Sequence, residues 1–233
     1  MILTSNRARK SILTLKMLTV GLAILGTAAL SAAWYWFALR HNRRRALQVL
    51  KWIESALAGQ GHATGIRWIA HSRFKVPLRL RSGVFHRAWM LVDLIPCEMP
   101  LPWLLSKTTG RKDVLTFQAD LDLPPSFSLQ VHNFRWMARS GRSSPSKRTS
   151  WNFEHTGPFV ISTRRDWQKE ISSAMASLAK DENREFVDVN FQRCSPHFSV
   201  TLPLESIAPD SPARACVIET MRELAASSSA SLS

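Results

Sequence analysis

From Met17 to Leu39 the chain runs 23 residues without a charged side chain. A helix rises about 1.5 Å per residue, so roughly 20 apolar residues cross a bilayer core of about 30 Å. The run is long enough, and a spanning helix satisfies its own backbone polar groups. Leu47, Leu50, Ile53 and Leu57 then recur at helical spacing. They predict a helix from Ala46 to Leu57, continuing the first as a stalk within residues 40–58. Gly59-Gln60-Gly61 ends it, with glycine where a left-handed cap is needed.

Downstream the hydrophobic period falls to two. Phe74, Val76, Leu78 and Leu80 alternate with Lys75, Pro77, Arg79 and Arg81, the pattern of a half-buried strand. Pro77 cannot donate to a ladder, which predicts an edge strand. Ser82-Gly83 predicts a turn, Val84 to Leu94 a more apolar strand, and Pro100 to Lys107 a short helix. Leu115, Phe117, Ala119, Leu121 and Leu123 form the clearest alternation. Pro124-Pro125 turns it, and Phe127, Leu129 and Val131 predict a return strand. Ala138 to Ser150 has no apolar period and predicts a basic loop.

Structure then resumes. Phe159 to Ile161 predicts a short strand, and Trp167, Ile171, Met175 and Leu178 share one helical face. Val187, Val189 and Phe191 predict a strand, Ser195-Pro196 a turn, and Phe198, Val200, Leu202 and Leu204 its return. Ser211-Pro212 reads as a helix start, with Val217, Ile218, Met221 and Leu224 on its buried face.

These elements predict an α+β protein: one transmembrane helix, a helical stalk, then a body with a mixed or antiparallel sheet. Strand, helix, strand, proline turn and strand follow in that order over 84–136 and again over 158–204. This suggests two β-α-β-β units plus a C-terminal helix. The implied organisation is a basic tail (1–16), a membrane helix (17–39), a stalk (40–58), a first unit (63–137), a loop (138–150), a second unit (151–226) and a Ser-rich tail (227–233).

Charge changes the picture mainly through its location. The net charge is +14, which at first suggests a nucleic-acid partner. Residues 1–51 hold nine basic and no acidic side chains, and residues 135–148 add five more basic ones. Elsewhere the charges nearly cancel. Basicity is thus concentrated at the membrane flanks, where Lys and Arg attract anionic lipid. Arg40, Arg43, Arg44 and Arg45 form the denser flank, so the positive-inside rule places the body in the cytoplasm. Trp34, Tyr35 and Trp36 suit an interfacial aromatic belt. The competing reading is a signal peptide cleaved near Ala33, after the small residues Ser31-Ala32-Ala33. A body outside the cell on an uncleaved anchor is a third. Cys97, Cys194 and Cys216 are odd in number and widely spaced, which fits a reducing compartment.

No motif for catalysis, cofactor or metal stands out. Gly59, Gly61 and Gly65 imitate a phosphate loop but follow a helix, the reverse of the required order. Ser144 and Lys147 match a serine–lysine spacing within the predicted loop. Cys194 and His197 are two ligands where structural zinc needs four. Asp120 and Asp122 share a strand face, Glu98 neighbours Cys97, and the other histidines, His132 among them, are scattered. Lys75, Arg79 and Arg81 form the most suggestive surface, a row suited to anionic lipid or an acidic protein partner. The leading expectation is a single-pass, non-catalytic interaction or scaffolding module at the membrane, with the lipid bilayer as partner, no nucleic acid and no cofactor. The alternatives are a membrane-anchored enzyme with a dispersed site, and a nucleic-acid binder using the basic loop.

Overall fold

The structure, a computed structural model, describes residues 3–81, 84–97, 100–110, 112–125, 127–133, 152–156, 159–163, 187–210, 219, 221–223 and 225–226. The predicted turn at Ser82-Gly83, Glu98, the loop 138–150 with Ser144 and Lys147, the helix at Trp167 to Leu178, the helix start at Ser211-Pro212 and the tail 227–233 lie outside the described residues.

A single helix, α1 (Leu3–Ala56), contains both the uncharged run and the predicted stalk. Its two parts have different surroundings. Residues 17–30 protrude, with Met17 74% and Leu30 73% exposed. Further on, Ala38, Asn42, Ala46, Val49, Ile53 and Leu57 are buried at intervals of three or four residues. This part does not stand clear as a stalk; it covers the sheet and belongs to the core. The buried stripe is also rotated from the one predicted, since Leu47 is 57% exposed and Leu50 only partly buried. Small Ala46 lies against the body instead, which allows a close approach that a leucine would block.

Gly59 ends the helix with φ of 83°, a backbone region where a Cβ is costly. At Gly61 a Cβ would stand 2.4 Å from the Arg79 carbonyl oxygen. Only glycine permits that crossing.

The body is one antiparallel sheet of ten strands, with the short helix α2 (Pro100–Thr108) between the fourth and fifth. The strands are β1 (Gly61–Ala63), β2 (Arg67–Ala70), β3 (Arg73–Leu80), β4 (Phe85–Asp93), β5 (Val114–Leu121), β6 (Leu129–Asn133), β7 (Asn152–Thr156), β8 (Phe159–Thr163), β9 (Asp188–Phe191) and β10 (Phe198–Pro203). Their order is β1-β3-β4-β5-β10-β9-β6-β8-β7, and β2 also pairs with β3. One cross-strand row shows how alternation builds the core: Val76, Met90, Phe117, Val200, Val189 and Val131 are consecutive partners and all buried. Beside it, Phe198 meets Phe191 at 4.8 Å between ring centroids and Phe117 at 6.1 Å. Met221 and Ala225 join this core from the C-terminal segment.

Two expectations are corrected. First, β3 is not an edge strand, because β4 flanks one side and β1 and β2 the other. Pro77 is tolerated because its missing N–H faces a break in the flanking strand. Its carbonyl accepts from the Thr64 N–H at 3.0 Å, and between Thr64 and Arg67 the pairing register slips by one residue. Proline in a sheet belongs at such an irregularity.

Second, the return strand expected after Pro124-Pro125 does not pair back onto the strand before it. β5 and β6 do not form a hairpin; the β9–β10 hairpin inserts between them. β4 pairs with β5, whereas β8 pairs with β6 rather than β9. Alternation specifies which face a strand buries but not which strand it meets.

Candidate functional site

A polar and aromatic cluster lies where α1 leaves the body. The Trp34 indole N–H donates to the Cys97 carbonyl at 3.0 Å, and its ring meets Trp103 of α2 edge-on at 5.9 Å. One residue on, the Tyr35 hydroxyl is 2.8 Å from His71 Nε2. Asn42, 1% exposed, donates from Nδ2 to the His71 carbonyl at 3.1 Å. Two tethers therefore hold the turn between β2 and β3 against α1, while Trp34 holds α2. Replacing the buried Asn42 with Ala removes this hydrogen bond and is expected to cost about 0.5–1.5 kcal/mol in denaturant titration.

The four predicted flank arginines follow this cluster. Arg40, Arg43 and Arg44 are exposed, and the Arg40 guanidinium lies 5.4 Å from the Trp36 ring centroid. Arg45 turns toward the body: it sits 4.9 Å from the Trp52 centroid, and its Nε is 3.8 Å from Asp113 Oδ2.

The second predicted set, Lys75, Arg79 and Arg81, lies along and just past β3. Lys75 is half-buried, with Nζ 3.8 Å above the Trp89 ring, and the Trp89 indole in turn donates to Gln118 at 2.7 Å. Arg79 and Arg81 are exposed. Arg73, at the start of the same strand, is paired with Asp93. The hydrogen bonds and negative charge of Asp93 hold its pKa further above the ordinary arginine value. Arg81 donates its backbone N–H to Gln60 at 2.9 Å, so it lies beside the far end of α1. Tyr35 is on the order of 30 Å away along the helix. The row thus begins near the helix exit and ends far from it.

Sequence reasoning missed one pair. His132 of β6 and Asp188 of β9 are cross-strand partners, on the sheet face opposite the apolar core. His132 Nδ1 is 3.1 Å from Asp188 Oδ1, but the alignment falls short of a hydrogen bond. His132 Nε2 is buried and has no hydrogen-bond partner. Thr201, 7% exposed, is the next residue in this row and shares its hydroxyl with Thr116 at 3.2 Å. The strand parity of His132 and Asp188 is readable from the chain. Their adjacency depends on the β6–β9 pairing, which is not.

The remaining motifs have structural duties. Asp120 accepts from the Ser195 hydroxyl at 2.6 Å, while Asp122 lies beyond the end of β5 and is exposed. His197 Nδ1 accepts from the Leu121 N–H at 3.2 Å, and Cys194 is exposed in the β9–β10 turn. The Gly59–Gly65 segment caps α1 and starts the sheet edge. Among the described residues, no three His, Cys, Asp or Glu side chains converge as a metal site.

Neither a search of protein-family models nor a comparison with curated proteins finds a match to this chain.

Proposed function

We propose that the protein is a single-pass membrane protein whose α+β body works as a non-catalytic interaction module at the bilayer surface. The observation that carries this reading is the split character of α1. One stretch is apolar and has no protein cover; the next is locked into the core. Lys16–Ala56 contains a window of mean hydropathy 1.7 with none of it buried. Leaving such a surface in water is costly, at roughly 25 cal/mol per Å² of apolar area. Residues 17–36 span about 30 Å as a helix, which matches a hydrocarbon core. Lys16 and Arg40 then fall at its two boundaries. Because α1 runs unbroken into the body, the body is held rigidly on the bilayer rather than swinging on a linker.

Arg40, Arg43 and Arg44 follow within about 12 Å of that boundary, where they favour the cytoplasmic, anionic leaflet. Arg79 and Arg81 lie too far along the body for the same surface, because charges are screened beyond about 8 Å at physiological salt. Their position favours an acidic protein partner over lipid. A reporter active only in the cytosol is expected to work when fused after Ser233. Activity confined to an externally active reporter would reverse the sidedness.

A second reading, an enzyme with a dispersed site, draws on the His132–Asp188 pair. A carboxylate beside one ring nitrogen of histidine is a common way to orient a general base. The burial of His132 Nε2 argues against ready access to a substrate. Diethyl pyrocarbonate modifying His132 as fast as free imidazole would reveal an open site and favour the enzyme.

A further inference from the structure

We infer that the body carries a second, lipid-facing contact: a collar of Trp36, Phe37, Trp68, Ile69, Leu104 and Leu105 that enters the bilayer interface around the exit of α1. The inference rests on the membrane-anchoring reading and extends it from the helix to the body.

Three separate elements supply the collar. Trp36 and Phe37 come from α1 and are 62% and 60% exposed. Trp68 and Ile69 come from β2, at 40% and 57%, and Leu104 and Leu105 from α2, at 55% and 64%. Large apolar side chains exposed singly are ordinary, but a cluster of them marks a contact surface.

Side-chain contacts place the three elements at one level of α1. The Trp34–Trp103 and Trp34–Cys97 contacts hold α2 and the segment before it at residue 34. The Tyr35–His71 contact holds the turn that follows β2 at residue 35. If residues 17–36 fill the hydrocarbon core, this level is its boundary, where aromatic rings and apolar tips are favoured. Arg40 is the next residue out that carries charge, and its guanidinium lies over the Trp36 ring, at the level where a long basic side chain reaches headgroups.

The occupant is lipid rather than protein for a geometric reason. The elements that carry the collar meet α1 at residues 34 and 35, where the exposed apolar stretch of the helix ends, so the surface continues from a segment that needs lipid. A protein partner would have to meet it within the interface.

The test uses the full-length chain in phosphatidylcholine vesicles. Cys97, Cys194 and Cys216 are changed to Ser. Single cysteines are then introduced as Ile69→Cys, Leu105→Cys, Arg79→Cys and Leu25→Cys and labelled with the fluorophore NBD. All four positions are exposed or face the proposed lipid, so folding should be unaffected. Lipid carrying a nitroxide near the headgroup, at carbon 5, is the short-range quencher for positions 69, 105 and 79, and lipid carrying it deep in the acyl chain, at carbon 12, is the quencher for position 25. Fluorescence at 69 and 105 is expected to fall at least twofold, that at 25 to fall measurably, and that at 79 to stay unchanged. Unquenched probes at 69 and 105 beside a quenched probe at 25 would overturn the collar and leave the anchor standing. Quenching at only one of 69 and 105 would also overturn it, since a collar needs both sides. An unquenched probe at 25 would overturn the anchor itself.

Discussion

Changing Ile24 and Leu25 together to arginine is expected to release the full-length protein from membranes. Both side chains lie in the middle of the uncovered stretch, 62% and 69% exposed. Each arginine at the centre of a spanning helix costs about 2.5–3.5 kcal/mol on the insertion scale. Two of them add roughly 5–7 kcal/mol, which shifts the insertion equilibrium by roughly four thousandfold to a hundred-thousandfold at about 1.4 kcal/mol per factor of ten. Both side chains are exposed rather than part of the core, so far-ultraviolet circular dichroism of the released protein should keep its strand signal. The wild-type chain should resist carbonate extraction and keep its original N-terminus; the double mutant should appear in the supernatant. A double mutant that stays carbonate-resistant would show that the run does not span. Wild-type product beginning at Trp34 would instead establish cleavage after Ala33, which would keep the Trp34 contacts to Cys97 and Trp103.

The largest loss of stability is expected from Phe198→Ala. Phe198 is fully buried and central in the sheet, between β5 and β9. Its ring packs against Phe191, Phe117 and Phe85. Truncation removes apolar contacts and leaves a cavity among large, rigid rings that cannot easily collapse. The expected cost is about 3–5 kcal/mol, a large part of the roughly 5–15 kcal/mol that holds a typical domain. Denaturant unfolding in detergent measures it. Leu123→Ala is the control: Leu123 is 58% exposed just beyond β5, so its loss should stay within about 0.5 kcal/mol. Comparable losses in both variants would mean that the aromatic cluster is not the centre of the core.

Local pattern carried a large share of the fold. Alternation at Phe74–Leu80, Leu115–Leu123 and Phe198–Leu204 identified buried faces that the structure shows, except that the second ends at Leu121 and leaves Leu123 exposed. Such alternation reflects a pleat with a two-residue repeat, a property of each strand alone. Strands β1, β2 and β7 were missed. β1 and β2 are short edge segments without a strong apolar face, and they exist because β3 offers them a ladder.

The candidate sites divide in the same way. The uncharged run and its arginines were legible because they are contiguous, and one helix proves long and apolar enough to cross a membrane. That Met17 to Leu39 carries no charge, and that Arg40 to Arg45 follow, is determined by the chain itself. Which residues of that run lack protein cover was decided only by tertiary packing, since Ala38 lies against the body and Met17 does not. The same holds for the His132–Asp188 pair, created by β6 pairing with β9 across more than fifty residues. It holds too for the helix exit, where Trp34, Tyr35, His71 and Trp103 tie α1 to α2 and to the turn after β2. Periodicity reports the environment along one element. Proximity between elements depends on strand order, and strand order follows from the packing of the whole core.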